Sequence, residues 1–216
     1  MSKIVVVLGG TGLIGSSLIG LLSKDQNVAE IRILARRPLH YENAKIKVFE
    51  TDLSQPDASI FEHAAALYCC IGTTKKKTPN RDAYRLIDHG MTLAAASKAK
   101  KAGVKEVHLI SAIGADSQAR LFYNRLKGEI ENDLLQLAFD RTFIYQPALL
   151  IGERQEKRIG EKFAQWISPL LDSLLNQKAM KYHSVKAHEL AGAMQRHSFQ
   201  TGQRQKILHY PDFFEK

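Results

Sequence analysis

Cysteine is nearly absent: two residues, Cys69 and Cys70, in a chain of 216. They are adjacent, and neighbours in an extended chain point to opposite faces, which excludes a disulfide framework and a metal knuckle. His183 and His188 do not have zinc spacing and lack a third ligand, so no metal site is expected. Long apolar runs are missing as well. None approaches the roughly 18 continuous apolar residues of a membrane span. The short run at residues 4–8 ends in glycines and reads as a strand, not as a secretory signal. With so little cysteine and no signal, the expected compartment is the cytoplasm. Acid is also in deficit: 22 Asp and Glu stand against 31 Lys and Arg, a net charge of +9. Such a charge favours anionic partners, phosphorylated cofactors among them, without choosing between them. The basic clusters at Arg36-Arg37, Lys75 to Lys77 and Lys98 to Lys101 carry no interleaved aromatics, so nucleic acid is not an expected partner.

What is present begins at residue 4. The β-branched run Ile4-Val5-Val6-Val7-Leu8 leads into Gly9-Gly10-Thr11-Gly12-Leu13-Ile14-Gly15 and then into the helical pattern of residues 16–22. A strand, a glycine turn and a helix in this order form a nucleotide cradle, because bare backbone lets a pyrophosphate approach the N–H groups of the helix end.

Further apolar runs follow at Ile31 to Ala35, Ile46 to Glu50, Leu67 to Ile71, Val104 to Ile110 and Thr142 to Tyr145. Helical patterns from about Asp82 to Ala102, closed by Gly103, and from about Gln118 to Leu137 separate the later ones. This alternation predicts an α/β fold, a doubly wound parallel-sheet Rossmann fold with ligands at the carboxyl ends of the strands. Residues 1–150 are the expected cofactor-binding core. Residues 151–216 are expected to form a small C-terminal cap integrated with it, with a polar loop over 154–160, short amphipathic helices at 163–167 and 170–175, a helix at 188–197 and a last strand at 207–210.

The end of the second strand selects the cofactor. An acidic residue about 20 positions past the glycine loop binds the adenosine ribose diol, whereas arginine accommodates a 2′-phosphate. Here Arg36 and Arg37 stand at that point with no carboxylate, which predicts NADP(H) over NAD. A second constellation is Tyr123-Asn124-Arg125-Leu126-Lys127, with Ser111 ending the fifth strand. Residues i and i+4 share a helix face, so the Tyr123 phenol and the Lys127 ammonium converge. A cation beside a phenol favours its ionised form and equips it for proton transfer.

Together these residues resemble the short-chain dehydrogenase/reductase superfamily over about the first 150 positions. The Gly9, Gly12 and Gly15 spacing is similar to its extended and atypical branches. Cys70 to Thr74, Ile110 to Asp116, Tyr123 to Glu129 and Pro147 to Leu150 are similar to the atypical branch that includes the Tat-interacting oxidoreductase. The resemblance implies that Ser111, Tyr123 and Lys127 form a catalytic triad, with Lys127 also holding the nicotinamide ribose. It implies that Thr11, Leu13 and Ile14 line the pyrophosphate loop, that Asp52 and Leu53 meet the adenine, that Cys70, Ile71 and Gly72 pass beside the adenine ribose, and that Pro147, Ala148 and Leu149 border the nicotinamide. Two positions depart from the pattern. The asparagine that many members place in the fourth helix has no counterpart, leaving Asp88, His89 or water to stand in. Gln146 precedes Pro147 where the nearer relatives tend to carry arginine. The expected activity is hydride transfer between a nicotinamide and a carbonyl or alcohol substrate. The alternative is a regulatory protein whose NADPH-loaded state recognises a protein partner. A monomer and a homodimer are both compatible with the sequence.

Overall fold

The run at the amino terminus forms β1 (Lys3–Leu8), whose last four residues are fully buried. In the computed structural model, which describes residues 2–151, 181–199, 201 and 204–214, β1 lies third in a seven-stranded sheet. The other strands are β2 (Val28–Ala35), β3 (Ile46–Glu50), β4 (Ala64–Cys69), β5 (Glu106–Ile110), β6 (Arg141–Tyr145) and, near the carboxyl terminus, Arg204–Leu208. Their order is β3-β2-β1-β4-β5-β6 followed by Arg204–Leu208, and each neighbouring pair is parallel. A parallel sheet needs a crossover for each connection, and right-handed crossovers place helices on both faces. The expected Rossmann architecture is therefore the observed one.

Each sheet face has its own core. On one side α1 (Leu13–Leu22) packs with Val5, Val7, Ile31 and Ile33. On the other, α3 (Met91–Lys101) and α4 (Phe122–Gln136) cover Val6, Leu8, Leu67, Val107 and Ile144. The alternation of neighbours between the two cores is the period-two geometry of a strand buried on both faces.

Three elements differ from the sequence reading. The long helix over 82–102 starts as α2 (Arg81–Arg85), passes through a π turn at Leu86–Gly90 and continues as α3. Gly103 closes it with a φ of 85°, as a C-terminal glycine should. α4 begins at Phe122 instead of residue 118, because Asp116 holds the preceding residues in a turn: its carboxylate accepts from the Gln118 N–H and its carbonyl from the Ala119 N–H. In the tail, a two-residue strand pair forms, β7 (Leu150–Ile151) with β8 (Val185–Lys186). It is followed by α5 (Ala187–His197) and by the edge strand, here β9 (Arg204–Leu208). α5 packs on α1, with Gln195 Nε2 donating to Asp25 at 3.0 Å, and β9 pairs with β6, so both belong to the sheet layers. The expected loop at 154–160 and the amphipathic helices at 163–167 and 170–175 lie outside the described residues.

Beneath α5 runs a stack of rings, Tyr68, His108, Phe143 and His197, with Tyr145 alongside. His197 is buried, and burial together with the charges of His108, Lys206 and Arg196 pushes its pKa down to about 4. The folded state thus holds the neutral imidazole, while the unfolded chain protonates near 6.5. The stabilisation is complete above pH 6.5 and is lost as pH falls toward 4. Thermal midpoints should decline across that window, and His197→Phe, which keeps a ring in the stack, should flatten the decline. An unchanged slope in the variant would remove His197 as the cause.

Candidate active site

All strands of the main sheet are parallel, so the loops that follow Leu8, Ala35, Cys69, Ile110 and Tyr145 emerge along one edge. The order reverses between β1 and β4, and such a switch point opens a crevice for a ligand. The glycine loop sits there. Gly9 has a φ of 87°, and a Cβ on it would lie 2.5 Å from the Ile71 amide nitrogen. A Cβ on Gly15 would lie 2.3 Å from the Gly9 carbonyl oxygen, and one on Gly12 3.2 Å from the same atom. Gly12 caps α1 without a side-chain bond, so the first-turn N–H groups of Leu13 and Ile14 have no side-chain cap. A loop folded back so tightly on β4, ending at an open helix amino terminus, fits a pyrophosphate. Gly15→Ala should shift the loop through this backbone overlap and weaken dinucleotide binding by tenfold or more on the scale of about 1–3 kcal/mol for overpacking. Isothermal titration of the variant against wild type measures it, and unaltered affinity would show that the loop does not hold the phosphates.

The remaining positions expected to meet the cofactor follow strands whose ends lie along the same edge. Arg36 and Arg37 follow β2 directly, both exposed and without an ion pair to any described residue. Asp52 turns its carboxylate to the Ser54 N–H at 2.8 Å, and Leu53 is buried in the core. Cys70 continues β4 through its N–H to Leu8, followed by the half-buried Ile71 and the exposed Gly72. Thr11 is exposed at the loop tip, whereas Ile14 packs inward, leaving only its backbone for a ligand. Pro147 accepts from the Ile113 N–H and Leu149 from the Val185 N–H, which ties the chain leaving β6 to the loop after β5 and to β8.

The catalytic candidates come from β5 and α4. Ser111 is 4% exposed, immediately past β5, and its N–H donates to the Tyr145 carbonyl. α4 is pressed against the loop that follows: a Cβ on Gly128 would lie 2.2 Å from the Ser117 nitrogen, so glycine is what permits the approach. Lys127 is 5% exposed, with its Nζ 3.2 Å from Asp88 Oδ2 and 3.5 Å from the Ile110 carbonyl. Burial opposes its charge, but Asp88, with help from Tyr123 and Glu131, outweighs burial and holds its pKa above the ordinary lysine value. The Tyr123 ring lies over the ammonium, 5.9 Å from centroid to Nζ, and the residue is 42% exposed. Its hydroxyl makes no hydrogen bond to a described residue, which leaves it open to an incoming molecule. Thus Lys127 is drawn beneath Tyr123 and against the strand end that carries Ser111.

Asp88 occupies the π turn and is 2% exposed. Besides Lys127 it accepts from the Thr73 N–H at 2.7 Å, fixing the loop after β4. Single-turn π bulges recur at functional sites because they re-aim one side chain, and here the bulge contains the carboxylate that meets the buried lysine. Of the two stand-ins left open for the fourth-helix asparagine, Asp88 meets Lys127, whereas His89 pairs with Asp133 at 2.7 Å.

Glu131 was not foreseen. It is 5% exposed and accepts from Ser111 Oγ, while Gln146 Nε2 donates to both of its oxygens at 3.0 Å. The Gln146 carbonyl in turn meets His209 Nε2 at 3.1 Å. The signal for Glu131 was present: it stands i+4 from Lys127 and i+8 from Tyr123, on the face already singled out. Gln146 reaches it from the end of β6, and His209 meets Gln146 from beyond β9, which no local spacing reveals.

Fold and cradle together define a dinucleotide-binding protein with an oxidoreductase-like Rossmann fold. Residues 9–142 match the family of NAD(P)H-binding proteins, and the chain belongs to it. Among its relatives, the mitochondrial protein FMP52 of Debaryomyces hansenii is 31% identical over 165 residues, covering 74% of this chain and 73% of that one. HTATIP2 of Rattus norvegicus is 31% identical over 169 residues, covering 76% and 69%, in keeping with the branch resemblance read from the motifs. Solved structures with the same fold include a UDP-N-acetylglucosamine 4-epimerase from Methanobrevibacter ruminantium at TM-score 0.71 and 16% identity, covering 96% of this chain and 76% of that one. Another is MoeE5 in complex with UDP-glucuronic acid and NAD, at TM-score 0.70 and 16% identity, covering 95% and 75%.

The relatives correct one expectation. The cytoplasmic assignment is overturned by the FMP52 proteins, which are named as mitochondrial in Debaryomyces hansenii, Scheffersomyces stipitis and Candida albicans. Scarce cysteine argues against a disulfide-dependent fold, and that criterion does not separate one thiol-reducing compartment from another. Among the described residues, no helix is long and apolar enough to cross a membrane, and no group of three or more His, Cys, Asp or Glu could hold a metal.

Proposed function

We propose that the protein is an NADPH-dependent oxidoreductase of the atypical short-chain dehydrogenase/reductase type, acting on a carbonyl or alcohol substrate through Ser111, Tyr123 and Lys127. The observation that carries this reading is the buried Lys127, paired with Asp88 under the exposed Tyr123 ring at the strand edge that holds the glycine cradle. The cradle would hold the pyrophosphate, and Arg36 with Arg37 the 2′-phosphate. The bound nicotinamide supplies the hydride. Tyr123 gives its phenolic proton to the oxygen of the reduced carbon, and Lys127 favours the ionised phenol that remains. Ser111 hydrogen-bonds the same oxygen and orients it.

The test is loss of NADPH absorbance across a panel of aldehydes and ketones. Turnover of at least one compound by wild type, abolished in Lys127→Met, supports the assignment. Equal turnover in the variant would refute it.

A further inference from the structure

Ser111 has a single hydrogen to give, and its place in the proposed chemistry requires giving it to a carbonyl oxygen. In the structure that hydrogen points at the Glu131 carboxylate. An ionised carboxylate only accepts, so while Glu131 is charged Ser111 can offer an incoming molecule only a lone pair. A protonated Glu131 reverses the arrangement: its own O–H donates to Ser111 Oγ and frees the serine hydrogen.

We infer that Glu131 is a positioning residue whose single proton sets the direction of the Ser111 hydroxyl, donor toward a carbonyl when Glu131 is protonated and acceptor from an alcohol when it is ionised. This inference rests on the proposed role of Ser111.

The surroundings of Glu131 leave both states accessible. Glu131, Ser111 and Gln146 are all more than nine-tenths buried. Gln146 is a neutral donor to both carboxyl oxygens, where an arginine would fix the anion. Its amide is itself oriented by His209 Nε2, arriving from beyond β9, and His209 Nδ1 lies 3.9 Å from Asp212. The charge of Lys127, one turn earlier on α4, acts on Glu131, but its Nζ is engaged by Asp88 of the π turn. Of the other charged groups of α4, Glu129 pairs with Arg85, Asp133 with His89, and Arg125 donates to the Ala119 and Arg120 carbonyls. Burial pushes the Glu131 carboxyl above the usual carboxylate range, and the bonds from Ser111 and Gln146 and the charge of Lys127 do not offset it. A carboxyl so placed exchanges its proton closer to neutral pH than an exposed glutamate does.

The experiment begins with cofactor-free protein carrying carbon-13 at the glutamate side-chain carboxyls. NMR follows each resonance with pH, and Glu131→Gln assigns the one of interest. Glu131 should titrate above exposed glutamates. Ser111→Ala, which removes a donor to the anion, should raise that midpoint by about one pH unit, and Gln146→Arg should lower it. A midpoint in the ordinary range, or one indifferent to Ser111→Ala, overturns the inference whether or not the protein turns over NADPH. The second arm uses a carbonyl compound found to be reduced. Its kcat/KM should fall about tenfold per pH unit above the Glu131 midpoint, as expected for one required proton. Glu131→Gln, whose NH2 is a donor at every pH, should abolish that limb, and Glu131→Asp should retain one. A limb unchanged in Glu131→Gln also overturns the inference, whereas failure of every carbonyl with the NMR coupling intact counts against the enzymatic reading alone.

Discussion

Tyr123→Phe is expected to lower carbonyl reduction by roughly 10²- to 10⁴-fold, the span that general acid catalysis contributes. The substitution removes one oxygen and keeps the ring that lies over Lys127. It buries no new group, because Tyr123 is among the exposed large side chains and its hydroxyl has no described partner to abandon. Stability and NADPH affinity should therefore stay near wild type while kcat collapses. That combination separates loss of a proton donor from loss of a binding surface. Rates within a few-fold of wild type would mean that another group delivers the proton, and the assignment of Tyr123 would fall.

Asp88→Ala should be the most destabilising single change in the site. It leaves the Lys127 ammonium buried beside the Ile110 carbonyl without its carboxylate and strips the Thr73 N–H of its acceptor. Breaking a buried ion pair by deleting one partner costs about 3–5 kcal/mol, because the surviving charge is left in a poor solvent. Urea unfolding should show an earlier midpoint with an unchanged slope, which marks a stability effect without a change in the surface exposed. Asp88→Asn keeps one acceptor oxygen, which can serve the Thr73 N–H or the Lys127 ammonium but not both in the native geometry, and should lose less than the alanine variant. A loss below about 1 kcal/mol in Asp88→Ala would place the pair in the weak class of solvent-screened bridges.

The contrast between these two residues shows what was legible in the chain. Tyr123 and Lys127 share one helix face, and the period of a helix announces such a pair. Glu131 belongs to the same series one turn later, so it too could have been read. Asp88 could not be placed with the same certainty, because its direction depends on a π turn that shifts the helical register at residues 86–90. Gln146 reaches Glu131 from the end of β6 and is itself met by His209 from beyond β9, a meeting set by the sheet order. The doubly wound parallel sheet followed from the alternation of buried runs with helices, whereas the strand order shows only in three dimensions. A last strand was expected at 207–210, but β9 spans Arg204–Leu208, is mostly exposed and alternates weakly, so its bounds and its pairing with β6 also show only in three dimensions.

The direct test of the account is a titration of the protein with NADPH and with NADH, followed by nicotinamide fluorescence, repeated on Arg36→Ala and Arg37→Ala. The reading of cradle and strand end together predicts markedly tighter binding of NADPH, by at least tenfold, or about 1.4 kcal/mol. The preference should shrink in the arginine variants while NADH affinity is unchanged. Equal affinity of the wild type for the two nucleotides, or a preference that survives both substitutions, would contradict it.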